Sequence, residues 1–471
     1  MKTSCLRMLA FVMCLTMTPA VWAQWSSNPL KNLPLADNPN GSDQVQPKVR
    51  PLPNNQWYVS WFDADPSTPK PIGYDVFLQR LDATGVEQFP HGGVMVADLS
   101  NSSTEDYGLD IDTAGNALLT FLDTRFGPNQ QVSASKISPS GQPLWGKKGV
   151  QLTFSGTDFN ASPRITGTTD GNVVVAWTTN SNTYLQKLDP NGHAIWNKPR
   201  VLEEPGFSYF LSDLHASDKG SVIVSWVRSA GFSGAKELRA NKLSANGFAL
   251  WGKKGLSIYD AGSLQFGEFP YFFSDGSGGA VFAWYSASPS LQVFAQHIRA
   301  NGKEAFPHNG SVGSNNTFNV RVEPSVSYNA ATDETFLFWT EEDSNQFTNG
   351  LSGQKFDGTG APQWSSTGKT IVPLGPDPQI FVKNVQTGTG ALVIWNDSPS
   401  FGQDALKAIK LDGAGKTICA PFSVSTAPAS KFGLSMSTAP SGLAAVAWSD
   451  NRIGNNAIYM QDVKTNCKLG Q

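Results

Sequence analysis

Chemistry in this 471-residue chain would have to come from carboxylates and guanidiniums that sit just past a recurring aromatic residue. They are Asp63, Asp123 with Arg125, Arg228, the run Glu341-Glu342-Asp343, Asp397, and Asp450 with Arg452. Carboxylates gathered around one opening can hold a cation or hydrogen-bond sugar hydroxyls, and a pair roughly 5 to 10 Å apart can cleave a glycosidic bond. An acid that follows a strand also caps its turn and pairs with a nearby arginine, so each has a structural reading beside the functional one. The second set is aromatic: Tyr107, Phe159, Phe207 with Tyr209, Phe266 with Phe269, Phe318, Phe381 and Phe432. Rings set around a mouth stack on sugars or receive a partner's apolar side chains, and they equally well form an inner packing layer.

Dedicated catalytic wording is absent. The five histidines, His91, His193, His215, His297 and His308, include no two at zinc-ligand spacing. There is no nucleophile elbow and no phosphate loop. The stretch from Asp110 to Gly115 resembles the opening of a calcium loop, but Ala114 stands where an oxygen ligand belongs and the distal glutamate is missing. No catalytic residue, metal or cofactor is assigned from the sequence.

The elements that must position these residues are short strands. Apolar runs close on Trp61, Trp177, Trp226, Trp284, Trp339, Trp395 and Trp448, with Phe121 in the one missing place, at intervals of 49 to 60 residues. That period suits four strands and their turns. A turn glycine recurs at Gly85, Gly141, Gly192, Gly247, Gly302, Gly360 and Gly415, and four residues later stands Phe89, Trp145, Trp196, Trp251, Phe306, Trp364 or Cys419. The pattern predicts an all-β protein, a single eight-bladed β-propeller of four-stranded antiparallel blades, with seven blades as the alternative. Repeats are expected at about 44–101, 102–156, 157–206, 207–262, 263–316, 317–375, 376–429 and 430–471. The last repeat lacks its fourth strand. Gln24-Trp25-Ser26-Ser27 repeats the wording of Gln363-Trp364-Ser365-Ser366, so residues 24–38 are expected to supply that strand and close the ring.

Residues 1–23 carry Lys2 and Arg7, an apolar stretch from Met8 to Met17 and small residues before Gln24, the pattern of a secretory signal peptide cleaved near Ala23. The mature chain is therefore expected to be secreted or periplasmic, with no other run long enough to span a bilayer. Cys5 and Cys14 leave with the leader, and Cys419 and Cys467 are expected to form a disulfide. Without Lys2 and Arg7, 33 of the 35 basic residues face 38 acidic ones, a net charge of −5, which argues against a nucleic-acid partner.

The wording Gly278-Gly279-Ala280-Val281-Phe282-Ala283-Trp284, then Phe294-Ala295-Gln296 and Gly302, resembles a class of secreted bacterial β-propeller repeat proteins. Trp448-Ser449-Asp450-Asn451-Arg452 followed by Ile458-Tyr459-Met460-Gln461 carries the same resemblance. It covers nearly the whole mature chain and implies an architecture without one assigned activity. A glutamine at Gln79, Gln186, Gln296, Gln354 and Gln461 belongs to this wording and is absent from units two, four and seven. The loops that vary, after the second strand and between blades, emerge on one face. The expected function is therefore a monomeric, non-enzymatic propeller that binds a glycan or an extracellular protein through that face. The alternatives are an extracellular polysaccharide hydrolase or lyase with acids at the central channel mouth, and a cell-surface scaffold subunit.

Overall fold

The computed structural model describes residues 24–37, 42–64, 73–100, 107–127 and 129–470; the expected leader lies outside the described residues. Strands of one blade lie between two neighbouring blades, so both of their faces are covered and a continuous apolar run replaces the usual alternation. Every residue of Val173–Thr179, Gly390–Asp397 and Ala444–Asp450, the second strands of three blades, is buried. The third blade shows the plan: Asn160–Gly167 innermost, then Val173–Thr179, Asn182–Leu188 and Arg200–Leu202, each antiparallel to the last. Eight such blades form the ring, and a single bridge between Ser100 and Asp123 links the first two. In blade 5 the innermost strand is broken into Ser263–Leu264 and Phe272–Ser274. No helix among the described residues is long and apolar enough to cross a membrane.

The last blade is built from both chain ends. Lys431–Thr438, Ala444–Asp450 and Ala457–Val463 are joined at the outer edge by Leu33–Ala36, with Leu33 opposite Met460 and Ala36 opposite Ile458. Asn32 adds side-chain bonds to Gln461 (3.2 Å) and to the Val424 carbonyl (3.0 Å) of the preceding blade.

One contact repeats at seven of the eight junctions between blades. The fourth-strand aromatic of each blade lies on the turn glycine of the next, where a side chain would collide: a Cβ on Gly302 would sit 2.7 Å from Trp251, and one on Gly85 would sit 2.8 Å from Trp25. Both glycines have φ above +80°, which L residues rarely adopt. The indole N–H groups of Trp25, Trp145, Trp196 and Trp251 donate to the carbonyls of Ala83, Pro190, Ala245 and Ala300, at 3.0 to 3.2 Å. At the eighth junction Cys419 holds the aromatic position and Cys467, at φ 66°, holds the glycine position, and the two are disulfide-bonded. The bond replaces the stacking contact.

A polar layer backs this seal. Gln79, Gln186, Gln296 and Gln354 bridge the third and fourth strands, each accepting from a backbone N–H and donating to a carbonyl. In unit four, where that glutamine is missing, Asn241 does the same with Trp251 and Gly252. The next residue along is lysine or arginine in six blades, and five of these reach across the junction: Arg80 to the Pro139 carbonyl, Lys136 to Pro190, Lys187 to Ala245, Lys242 to Gly278 and Lys410 to Thr465. Three of these, Lys136, Lys187 and Lys242, also pair with Asp112, Asp170 and Asp218.

His91 ties the closing segment to blade 1, bridging Asp37 (2.7 Å) and Glu87 (3.0 Å). Its bonds to Asp37 and then Glu87 push the imidazole up to about 10, while the free side chain titrates near 6.5. A raised folded value means that this stabilisation is complete below about pH 6.5 and is lost as pH rises through about 10. The stability difference between wild type and His91→Ala is therefore expected to shrink steadily from pH 6.5 to 10 in chemical denaturation; a constant difference would refute the assignment. Replacing Cys419 with serine opens a bond that spans 48 residues and is expected to cost about 2 to 4 kcal/mol, read as a lower melting temperature. An unchanged melting temperature would show that the bond does not restrain the ring.

Candidate functional site

The acids that follow the strand-end tryptophans are engaged within the protein. Trp339 donates its indole N–H to Glu341 (2.7 Å), and the buried Arg321 donates to the same carboxylate from Nε (3.2 Å) and Nη2 (2.8 Å). Trp448 donates to Asp450 (2.9 Å), which also holds Arg452, whose guanidinium lies 3.7 Å from the Tyr459 ring centre. Asp123 is buried and forms a 2.6 Å ion pair with Arg125, which lies over the Phe121 ring. Trp395 donates to Gln379 (2.6 Å), and Gln379 donates to Asp397, which also pairs with Lys407. Arg228 bonds Glu204 (2.8 Å) and Glu237 (3.0 Å) and covers the Phe207 ring; Arg228, then Lys254 and Tyr209, hold the Glu204 carboxyl down at about 2. Asp63 accepts from Gln44 (3.2 Å), and Asp343 accepts the backbone N–H groups of Asn345 and Phe347 in its own loop. Among the described residues, no group of three or more His, Cys, Asp or Glu is placed to hold a metal ion.

A different set of titratable groups gathers where the innermost strands meet the variable face. Six innermost strands carry a β-bulge, opposite the strand-end tryptophan in five and just beside it in blade 4. Gln46, Ser162, Glu323 and Phe381 take left-handed φ values of 49° to 55° there, a strained conformation that bulges use to re-aim side chains. Side chains just past the bulges catch the next blade: Asp213, Ser325 and Ser435 accept the backbone N–H groups of Phe272, Asn384 and Val49. Glu323 itself accepts the Phe381 N–H (3.0 Å). In blade 5, Glu268 accepts the Tyr285 N–H (3.0 Å) through Oε1, while Oε2 is buried with no partner among the described residues. Burial pushes the Glu268 carboxyl well above its ordinary range and the Tyr285 hydroxyl up to about 12. Burial also raises Glu342, helped by Glu323 and Asp343, and lowers the Lys383 amine. Of this group the sequence reading had singled out Glu342 and Phe381.

The aromatic set divides. Tyr107 is buried and bonds Ser60 (2.8 Å) and the Gln46 carbonyl, and Tyr209 is buried and bonds Glu204 (2.9 Å). Phe381 and Phe432 are partly buried at the inner edges of their blades. Phe159, Phe266 and Phe318 project into solvent, and the loops add Phe154, Phe232, Phe347 and Phe401, which the sequence reading missed. These seven are 61% to 94% exposed and all belong to the variable face; the eighth highly exposed phenylalanine, Phe248, sits at an opposite turn. Only Phe232 and Phe266 touch, with ring centres 5.0 Å apart and the Lys236 amine over the second ring. A hollow of about 350 Å³ opens beside Phe159, lined also by Asn129, Gln130, Thr157, Asp158 and Asn160.

No protein-family description and no curated protein matches the chain. Among solved structures it is similar to the Dos1 propeller, at 10% identity and a TM-score of 0.48 over 92% of this chain and 95% of that one. It is also similar to the polysaccharide lyase Uly1, at 10% identity and 0.44 over 93% and 92%. The β-propeller domain of the Trilobed protease from Pyrococcus furiosus matches at 8% identity and 0.43 over 83% and 98%. At these identities the likeness is one of fold.

Arg321 tests the structural role of the strand-end acids. Arg321→Ala strands the buried Glu341 carboxylate beside Trp339 and is expected to cost about 3 to 5 kcal/mol in denaturant unfolding. A loss under about 1 kcal/mol would mean that Glu341 finds solvent and is free for other work.

Proposed function

We propose that this protein is an extracellular, non-enzymatic module that binds carbohydrate through its variable-loop face. The observation that carries this reading is the set of seven exposed phenylalanines confined to that face. Exposed apolar rings have no role in holding the ring together, and a face that presents them is a contact surface. The rings stand on separate loops instead of forming one continuous patch. A protein interface core favours a continuous patch, whereas separate platforms suit successive sugars of a chain. Neighbouring charges on this face are engaged in pairs, which favours a neutral ligand. The disulfide between Cys419 and Cys467 fits an oxidising compartment.

A second reading, catalysis on a polysaccharide, is favoured by one observation: the Glu268 carboxyl, pushed well above its ordinary range by burial, acts together with Glu323 on the Tyr285 hydroxyl. Groups whose environments separate their proton affinities suit general acid and base roles.

One experiment separates the two. The mature protein, residues 24–471, is applied to a broad glycan array, and release of reducing ends is followed in the same wells. Binding without release is expected, and Phe318→Ala and Phe347→Ala should each weaken it about tenfold without lowering the melting temperature. Release that disappears in Glu268→Gln would overturn the non-enzymatic reading. Binding to no glycan would overturn the choice of ligand.

A further inference from the structure

Blade 3 differs from its neighbours on the variable face. Its second and third strands, Val173–Thr179 and Asn182–Leu188, are joined by Asn180-Ser181 alone, the shortest such connection among the described residues. Both residues are left-handed, at φ 46° and 74°, as a two-residue hairpin turn with the twist of its strands requires. Elsewhere on this face a longer loop stands at the same place. Here the tight turn leaves a notch open between blades 2 and 3, and the hollow of about 350 Å³ occupies it.

Asn180 does more than turn the chain. Its backbone N–H donates to the Phe159 carbonyl (3.0 Å), its Oδ1 accepts the Phe159 N–H (2.9 Å), and its Nδ2 donates to Asp158 (2.6 Å). Three hydrogen bonds from one strained residue therefore fix the backbone beneath an exposed ring. Asn160 holds the opposite wall, donating to the Gln130 carbonyl (2.9 Å) and accepting from Thr179 (2.6 Å). An exposed aromatic on a rigid support is what a stacking platform needs, because little freedom is left to lose on binding. The lining includes Asn129, Gln130 and Thr157, residues whose side chains donate and accept at once, as sugar hydroxyls do. Among the described residues of the lining Asp158 is the only charged one, and its sign does not suit an anionic ligand.

We infer that the notch above blade 3 is a subsite for one neutral sugar ring, with Phe159 stacked on its face and the Asn129 and Gln130 amides bonding its hydroxyls. This rests on the carbohydrate reading above and assigns it a place and a ligand class. The hollow lies at the low end of the ~300 to 1,000 Å³ usual for small-molecule sites, enough for a ring continued by its neighbours into solvent.

The test is titration of the mature protein with cellohexaose, mannohexaose, xylohexaose and an oligogalacturonate by calorimetry, with melting temperatures recorded for every variant. At least one neutral hexaose is expected to bind. Phe159→Ala and Phe159→Leu should weaken it tenfold or more, Phe159→Trp should keep or strengthen it, and Asn180→Gly, which preserves the turn but removes the clamp, should weaken it severalfold. Full affinity in Phe159→Leu would show that apolar area and not stacking matters, and would overturn the subsite. A Phe159→Ala variant that binds normally while Phe318→Ala does not would also overturn it and leave the carbohydrate reading standing. So would binding of the oligogalacturonate alone. No binding by any of the four would overturn both.

Discussion

The ring depends on one contact, the fourth-strand aromatic of each blade lying on the turn glycine of the next. It demands a residue without a side chain at one position and a large flat one at the other, so neither partner can change alone. Seven junctions use it, from Trp25 on Gly85 to Trp364 on Gly415. The eighth cannot, because Cys419 stands where the aromatic would be, and there a covalent bond to Cys467 supplies the connection. Closure therefore relies on two different devices at the two sides of the last blade: Trp25 seals the N-terminal strand onto blade 1, and the disulfide fastens blade 7 to blade 8. Both carry the chain ends, where an unclosed propeller would fray.

Because this seal and the cationic layer behind it lie towards the opposite turns, the variable face is left free of structural duty except at the strand ends. There three of the seven strand-end indoles find acceptors, Glu341 and Asp450 directly and Asp397 through Gln379, while those of Trp61, Trp177, Trp226 and Trp284 are buried with none among the described residues. An acid two residues past an indole is thus a structural requirement of the blade in these cases. That leaves the exposed phenylalanines and the second carboxyl oxygen of Glu268 as groups the scaffold does not itself consume.

The same logic explains what the sequence made legible. Glycine and tryptophan at fixed offsets have few interchangeable substitutes, so the blades, their number and the closing strand could be read directly. The acids could not be sorted, because Asp123 bonded to Arg125 and Glu268 with an unpartnered oxygen look alike as letters, and only burial separates them. Phe232, Phe347 and Phe401 were passed over because a lone aromatic in a polar loop has no periodicity. The bulges left one mark, the prolines after Gln46, Ser162 and Glu323, since a residue before proline is pushed from the helical region and these instead turn left-handed. Tyr107 and Tyr209, read as candidates for the mouth, bond their hydroxyls to Ser60 and Glu204 within the protein, which position along a strand alone does not disclose.

Exposed phenylalanine is the feature that the fold cannot explain. A ring left in water contributes nothing to blade packing, and its removal from the unfolded chain's surface is forgone. Seven such rings on one face also raise the hazard of self-association. A scaffold under no other demand would place Ser, Asn or Gly at loop tips, as it does at most of its opposite turns. For phenylalanine the cost is concentrated where loop length varies, with Phe248 the one comparable case at a repeating turn among the described residues. That distribution does not follow any need of the ring and fits the contact surface proposed above; at Phe159 a left-handed asparagine bonds the backbone beneath the exposed ring.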